Sequence, residues 1–258
     1  MKKRLVNILL FLLAVALIVG TVALCALSGD VRSQRVCEGV RVTLTDNFNF
    51  ITEEDVKKWI EDGCGHYVGC KLEGLDLNSI EMMMDGKAAV RKSEVYTTAD
   101  GMLNISISQR EPVLEFDKDG LGFYVDERGY VFPLQAGYET PVPVISGAIP
   151  VSLESGYKGE IKDTAEAKWM RETLAMMDFL SKSRRWHNYI GQITVAKGGD
   201  LLIKPVEGRE TVIFGTPDHC AQKLALLEKY YDIIKPSKEE GYYSTVNVKY
   251  HNQIICRK

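Results

Sequence analysis

The chain has 258 residues, 45% of them hydrophobic, and carries 32 Lys and Arg against 35 Asp and Glu, a net charge of −3. A mildly acidic sequence without a basic run is a poor match for nucleic acid, which rewards clustered cations. The length suffices for one large core or two modest ones, and the patterning below favours two small domains.

Lys2, Lys3 and Arg4 precede a 23-residue stretch, Leu5 to Leu27, with no charged side chain. As a helix it reaches roughly 34 Å, against a hydrocarbon core of about 30 Å. A cleaved secretory signal has a shorter apolar core, of about 7–15 residues, and a small-x-small site. Ala23-Leu24-Cys25 and Leu24-Cys25-Ala26 both lack one of the small residues, and Leu24 does not suit a lipoprotein reading of Cys25. The expected organisation is a cytoplasmic tail 1–4, a transmembrane helix 5–27, a linker 28–35 and an ectodomain. The N-terminal cations favour that orientation, although Arg32, Arg35 and Arg41 on the other flank weaken the bias.

Cysteines stand at 25, 37, 64, 70, 220 and 256. Cys64 and Cys70 flank a Gly-containing loop and can form a local disulfide in an oxidising compartment; Cys220 and Cys256 sit in apolar patterns typical of buried thiols. No spacing suggests a redox pair. Cys64-x-His66-x3-Cys70 offers three metal ligands and no fourth nearby, so no metal is expected.

In the block 36–112, Val40 to Leu44 alternates as a strand. Thr52 then caps a helix with Glu53, Glu54 and Asp55 in its first turn and Val56, Trp59 and Ile60 on one side. The apolar face of Leu77, Ile80, Met83 and Met84 predicts a second helix over Leu77 to Asp85. Strands Ala89 to Thr97 and Met102 to Ser108 flank the hairpin signal Asp100-Gly101. Leu103, Ile105 and Ile107 alternate with Asn104, Ser106 and Ser108, as in a sheet with one wet face. The unit reads β-α-α-β-β, with both helices on one face of the sheet.

The block 113–258 reads as a mainly antiparallel β domain with two helices, so the fold class is α+β. Predicted strands are Leu121 to Val125, Tyr130 to Leu134, Tyr189 to Val195, Asp200 to Lys204 and Thr211 to Phe214. The first helix, Thr164 to Ser183, presents Met170, Leu174, Met177 and Leu180, with Trp169 and Phe179 widening the buried stripe. The second is introduced by Thr216-Pro217-Asp218, with Pro217 at the first helical position, and buries Cys220, Leu224, Leu227, Tyr231 and Ile234 before Pro236 stops it.

Signals for catalysis are thin. Ser155-Gly156-Tyr157-Lys158 is an S-x-x-K, but it falls in a loop after Pro150 and its companion elements are in the wrong order. The four histidines, His66, His187, His219 and His251, are scattered, and no G-x-S-x-G, H-E-x-x-H or phosphate-binding loop occurs. Arg184-Arg185-Trp186-His187, the most positive short run, reads as a solvated helix end or a partner contact. The expectation is a chain that is not an enzyme and needs no cofactor.

A β-α-α-β-β unit just outside a membrane anchor resembles a POTRA domain. Gln109-Arg110-Glu111-Pro112-Val113 followed by Tyr124 to Pro133, with its Val125-Asp126-x-x-Gly129-x-Val131-Phe132 core, resembles the bacterial cell-division family FtsQ, also called DivIB. Further matches are Gly215 ahead of the last helix and Val246-Asn247-Val248-Lys249-Tyr250 in place of the family's Val-Asp-Leu-Arg-Tyr. Ala88-Ala89-Val90 departs from the usual Pro-Trp-Val, and the final turn His251-Asn252-Gln253 has no Gly. The resemblance implies a non-catalytic divisome scaffold in the cell inner membrane, single-pass, with its bulk periplasmic and its POTRA domain helping to place it at the division site. It also implies partners FtsB and FtsL, received at the last strands, where the matching positions are Val246, Val248, Lys249, Tyr250, Ile254 and Ile255. A chain ending in a strand offers a sheet edge for such strand addition. Alternatives are an anchored cell-wall hydrolase or transpeptidase using Ser155, and a POTRA-bearing envelope-assembly protein.

Overall fold

The structure, a computed structural model, describes residues 12–22, 35–135, 138 and 140–258. Residues 12–22 are helical, and the rest of the expected anchor lies outside the described residues. Among the described residues no helix is long and apolar enough to cross a membrane. The chain divides into two units, 1–109 and 110–258.

The N-terminal unit contains β1 (Gly39–Leu44), α1 (Glu53–Cys64), α2 (Leu77–Asp85), β2 (Val90–Thr97) and β3 (Met102–Gln109). Its sheet has the order β1-β3-β2, with β1 parallel and β2 antiparallel to the central β3. Thr52 caps α1 through a full capping box, its hydroxyl accepting from Asp55 N–H while the Asp55 carboxylate accepts from Thr52 N–H. Val56 and Ile60 of α1, Ile80 and Met84 of α2 and Leu103, Ile105 and Ile107 of β3 are all buried. Gly101, at φ +81°, makes the β2–β3 turn. The face expected to be wet is partly covered: Asn104 is buried, donating to Thr98 Oγ1 at 2.9 Å and accepting from Arg41. A central strand flanked on both sides gives such a residue neighbours that alternation alone does not show.

One junction in this unit joins residues far apart in sequence. Buried Gln109 donates through Nε2 to Asp46 Oδ1 and Phe48 C=O, both at 2.7 Å, and its Oε1 accepts from Ile51 N–H at 2.9 Å. The loop from β1 to α1 is thereby pinned to the end of β3.

The C-terminal unit runs β4 (Pro112–Lys118), β5 (Leu121–Asp126), β6 (Tyr130–Pro133), β7 (Val144–Gly147), β8 (Gly159–Glu160), α3 (Thr164–Lys182), β9 (Ile190–Val195), β10 (Leu201–Pro205), β11 (Thr211–Gly215), α4 (Cys220–Lys229), β12 (Thr245–Asn247) and β13 (Ile255–Arg257). These strands form one ten-stranded sheet, ordered β13-β12-β11-β10-β9-β7-β4-β5-β6-β8. The sheet is mixed, which corrects the mainly antiparallel expectation: β4–β7, β7–β9 and β11–β12 are parallel. Parallel neighbours need a crossover, which α3 supplies between β7 and β9 and α4 supplies between β11 and β12. The core gathers Leu114, Phe116, Phe123, Val125, Ile145, Ile193, Val212 and Phe214 from the sheet with Trp169, Met170, Met176, Met177 and Leu180 from α3.

Three sequence expectations are revised here. Phe179 is exposed, whereas Trp169 is buried as expected. Helix α4 begins at Cys220 after His219 in the left-handed region, φ 49°, not at Pro217. The Asp218 carboxylate accepts from Lys223 Nζ at 2.9 Å and Thr216 Oγ1 at 2.5 Å, so it serves the turn and not a helix cap. Finally, α4 widens into a π turn at Tyr230–Ile234, so that Tyr230 is buried while Tyr231 and Ile234 are half-buried.

Candidate partner-binding edge

The last two strands form an antiparallel hairpin, pairing Thr245 with Arg257, Val246 with Cys256 and Asn247 with Ile255. Strand β12 lies between β11 and β13, and Val248 N–H carries the pairing one step further to Ile213 C=O at 3.0 Å. Strand β13 is terminal in the sheet order, so one row of its backbone N–H and C=O groups faces no further strand of that sheet.

The sequence-predicted residues occupy three environments. Val246 and Val248 are fully buried, and their side chains belong to the core. Ile254 and Ile255 are half-buried on or beside the edge strand. Lys249 and Tyr250 are exposed, with Lys249 Nζ paired to Asp200 Oδ2 at 2.7 Å, and together with His219, His251 and Asn252 they line a small pocket of about 220 Å³. Asn252 takes φ 56°, the left-handed conformation that the missing turn glycine would otherwise supply.

An aromatic patch near the C-terminus was not legible as a site in the sequence. The Lys258 ammonium lies 4.2 Å and that of Lys238 5.5 Å from the centre of the Tyr242 ring. Tyr243 meets Tyr242 edge-on at 4.9 Å. These two cations hold the Tyr242 hydroxyl below the usual tyrosine range, Lys258 contributing most. Behind the patch, the buried Glu210 carboxylate is paired with Lys235 at 2.8 Å; burial raises its pKa, but the Lys235 hydrogen bond and neighbouring donors hold it below the usual range. The run Arg184 to His187 resolves as a helix end: Trp186 is buried, and Arg185 forms a two-pronged pair with Asp232 at 2.6 and 3.2 Å.

The candidate chemical groups are peripheral. Ser155 and Lys158 are exposed in the turn around Gly156, and all four histidines are exposed. Among the described residues no group of His, Cys, Asp and Glu is arranged to hold a metal. Cys70 is a free, exposed thiol, and burial pushes the Cys220 thiol up to about 11.

The chain thus combines a β-α-α-β-β unit with a mixed ten-stranded sheet that ends on β13. Residues 35–108 match the family model of POTRA-like domains, and residues 111–257 match that of the FtsQ/DivIB C-terminal related domain. No curated protein gives a significant match. The second match alone spans more than half of the chain, which therefore belongs to the FtsQ/DivIB family. The domain pair fits a cell-division scaffold.

Proposed function

We propose that the protein is a non-catalytic, membrane-anchored divisome scaffold that captures its partner by strand addition at β13. The anchor is the apolar stretch 5–27, with the two folded units outside the cytoplasmic membrane at the division site. The supporting observation is the position of β13: the sheet ends on it, its apolar Ile255 is only half-buried, and an uncovered edge of this kind invites a partner strand. The family suggests the periplasmic part of FtsB, in complex with FtsL, as the incoming chain. Its backbone would pair with β13 while its side chains meet Ile254, Lys249 and Tyr250; Val246 and Val248 act from beneath, by fixing the hairpin.

A pull-down comparing the intact chain with one truncated before Asn252 tests this reading. Truncation removes β13 and is expected to abolish recovery of the partner, with the remaining sheet checked by circular dichroism. Ser155→Ala is expected to leave recovery and division unaffected. Unchanged recovery after truncation overturns strand addition, and loss of function in Ser155→Ala with intact binding favours a hydrolase or transpeptidase.

A further inference from the structure

Where the chain enters the N-terminal unit, residues 35–37 run antiparallel to residues 70–72. Leu72 N–H donates to Arg35 C=O at 2.9 Å, Val36 bridges Lys71, and Cys37 N–H donates to Cys70 C=O at 2.8 Å. Gly69, at φ +82°, donates its N–H to Cys37 C=O at 2.7 Å. Gly69 and Cys70 thus oppose Cys37 together, in a bulge whose extra residue is the left-handed glycine. Directly opposed residues in hydrogen-bonded antiparallel pairs have Cα atoms about 5.5 Å apart. A disulfide accepts roughly 4.4–6.8 Å.

Both thiols are free, Cys37 fully buried and Cys70 exposed. Each makes only a weak sulfur hydrogen bond, Cys70 Sγ to His66 C=O at 3.2 Å and Cys37 Sγ to Gly39 C=O at 3.5 Å. These two weak hydrogen bonds are the polar contacts given up when the side chains turn toward each other.

We propose that Cys37 and Cys70 form a closable dithiol, oxidised by an external disulfide, that staples the entry of the chain to the loop following α1. The exposed Cys70 thiolate attacks one sulfur of the external disulfide, breaking that S–S bond, forming a mixed disulfide and releasing one thiolate. The Cys37 side chain then turns toward Cys70 and the surface, where its thiol gives up its proton, and its sulfur attacks Cys70 Sγ, forming the internal bond and expelling the second external thiolate. Two protein thiols are oxidised and one external disulfide is reduced to two thiols, which take up the protons. The pairing differs from the Cys64–Cys70 bond that their short spacing suggests, because backbone pairing sets Cys37 opposite Cys70. It is independent of the docking function proposed above, although the compartment beyond the membrane is where such a bond would persist.

The test uses the full-length chain, reduced and then incubated with oxidised glutathione, alkylated and digested with trypsin. Cys37 falls in the peptide 36–41, while Cys64 and Cys70 share the peptide 59–71. The expected product joins these two peptides, survives the Cys64→Ala substitution, and raises the melting temperature of the N-terminal unit by on the order of 10 °C over the reduced chain. Cys37→Ala is expected to halt at glutathione bound to Cys70. A bond internal to peptide 59–71, a wild-type chain that stops at the glutathione adduct, or thiols that stay reduced would each overturn the proposal.

Discussion

Asp126 is buried, and its carboxylate accepts from Arg128 N–H and Tyr130 N–H, each at 2.9 Å, and from the Arg110 guanidinium at 2.9 Å. The Arg110 guanidinium carbon in turn stands over the Tyr130 ring, 3.4 Å from its centre. One side chain thus shapes the β5–β6 turn and pairs with the half-buried Arg110 guanidinium, so Asp126→Ala removes both sets of contacts. The expected loss is roughly 1–3 kcal/mol in the C-terminal unit, from turn N–H groups left without their acceptor, read as a lower urea midpoint; an unchanged midpoint would contradict this role. Tyr189 gives a pH signature. Burial pushes its phenol from 10.0 to about 12, with the Tyr231 hydroxyl at 3.0 Å pulling slightly the other way. The unfolded chain ionises first, so this contribution is complete below about pH 10 and is lost as pH rises toward about 12, a change of roughly 2–3 kcal/mol. Urea titrations should therefore show a shallower alkaline loss for Tyr189→Phe than for the parent.

Among the elements, β7 depends closely on one glycine. Gly147 has φ +94°, and a Cβ there would stand 2.5 Å from the Val195 carbonyl oxygen of the adjoining β9. Gly147→Ala is expected to cost at least about 1–3 kcal/mol through the backbone alone, and more through the clash, visible as a lowered melting temperature. Elements with local signatures were readable in advance. The Thr52–Asp55 capping box, the Gly101 hairpin, the Gly129 turn and α2 over Leu77–Asp85 each depend on residues a few positions apart. Strands β4 and β7 were not, because β7 is four residues in a proline-punctuated stretch and β4 follows Arg110-Glu111 with no turn signal of its own. The start of α4 was misplaced because the Asp218 carboxylate, chemically suited to a cap, is held by Lys223, a contact that only folding creates. The candidate edge was legible as a terminal strand. The burial of Val246 and Val248 beneath it was not, since strand alternation does not reveal which strand of a hairpin lies outermost.

At the scale of the whole molecule, two units with separate sheets divide the chain, each answering to its own family model. The ten-stranded sheet ends in the two-residue β8 on one side and in β13 on the other. A strand as short as β8 offers an incoming chain little to pair with, whereas β13 is continuous with Ile254 and lies beside the Tyr242, Lys238 and Lys258 patch. Docking by strand addition makes a local forecast, because only the receiving edge gains new backbone hydrogen bonds. The most direct measurement is amide hydrogen exchange on the full-length chain with and without the FtsB–FtsL periplasmic complex. The account predicts that the outward-facing amides among residues 254–257 become strongly protected on binding; protection elsewhere, with these amides exchanging as in the free protein, would contradict it.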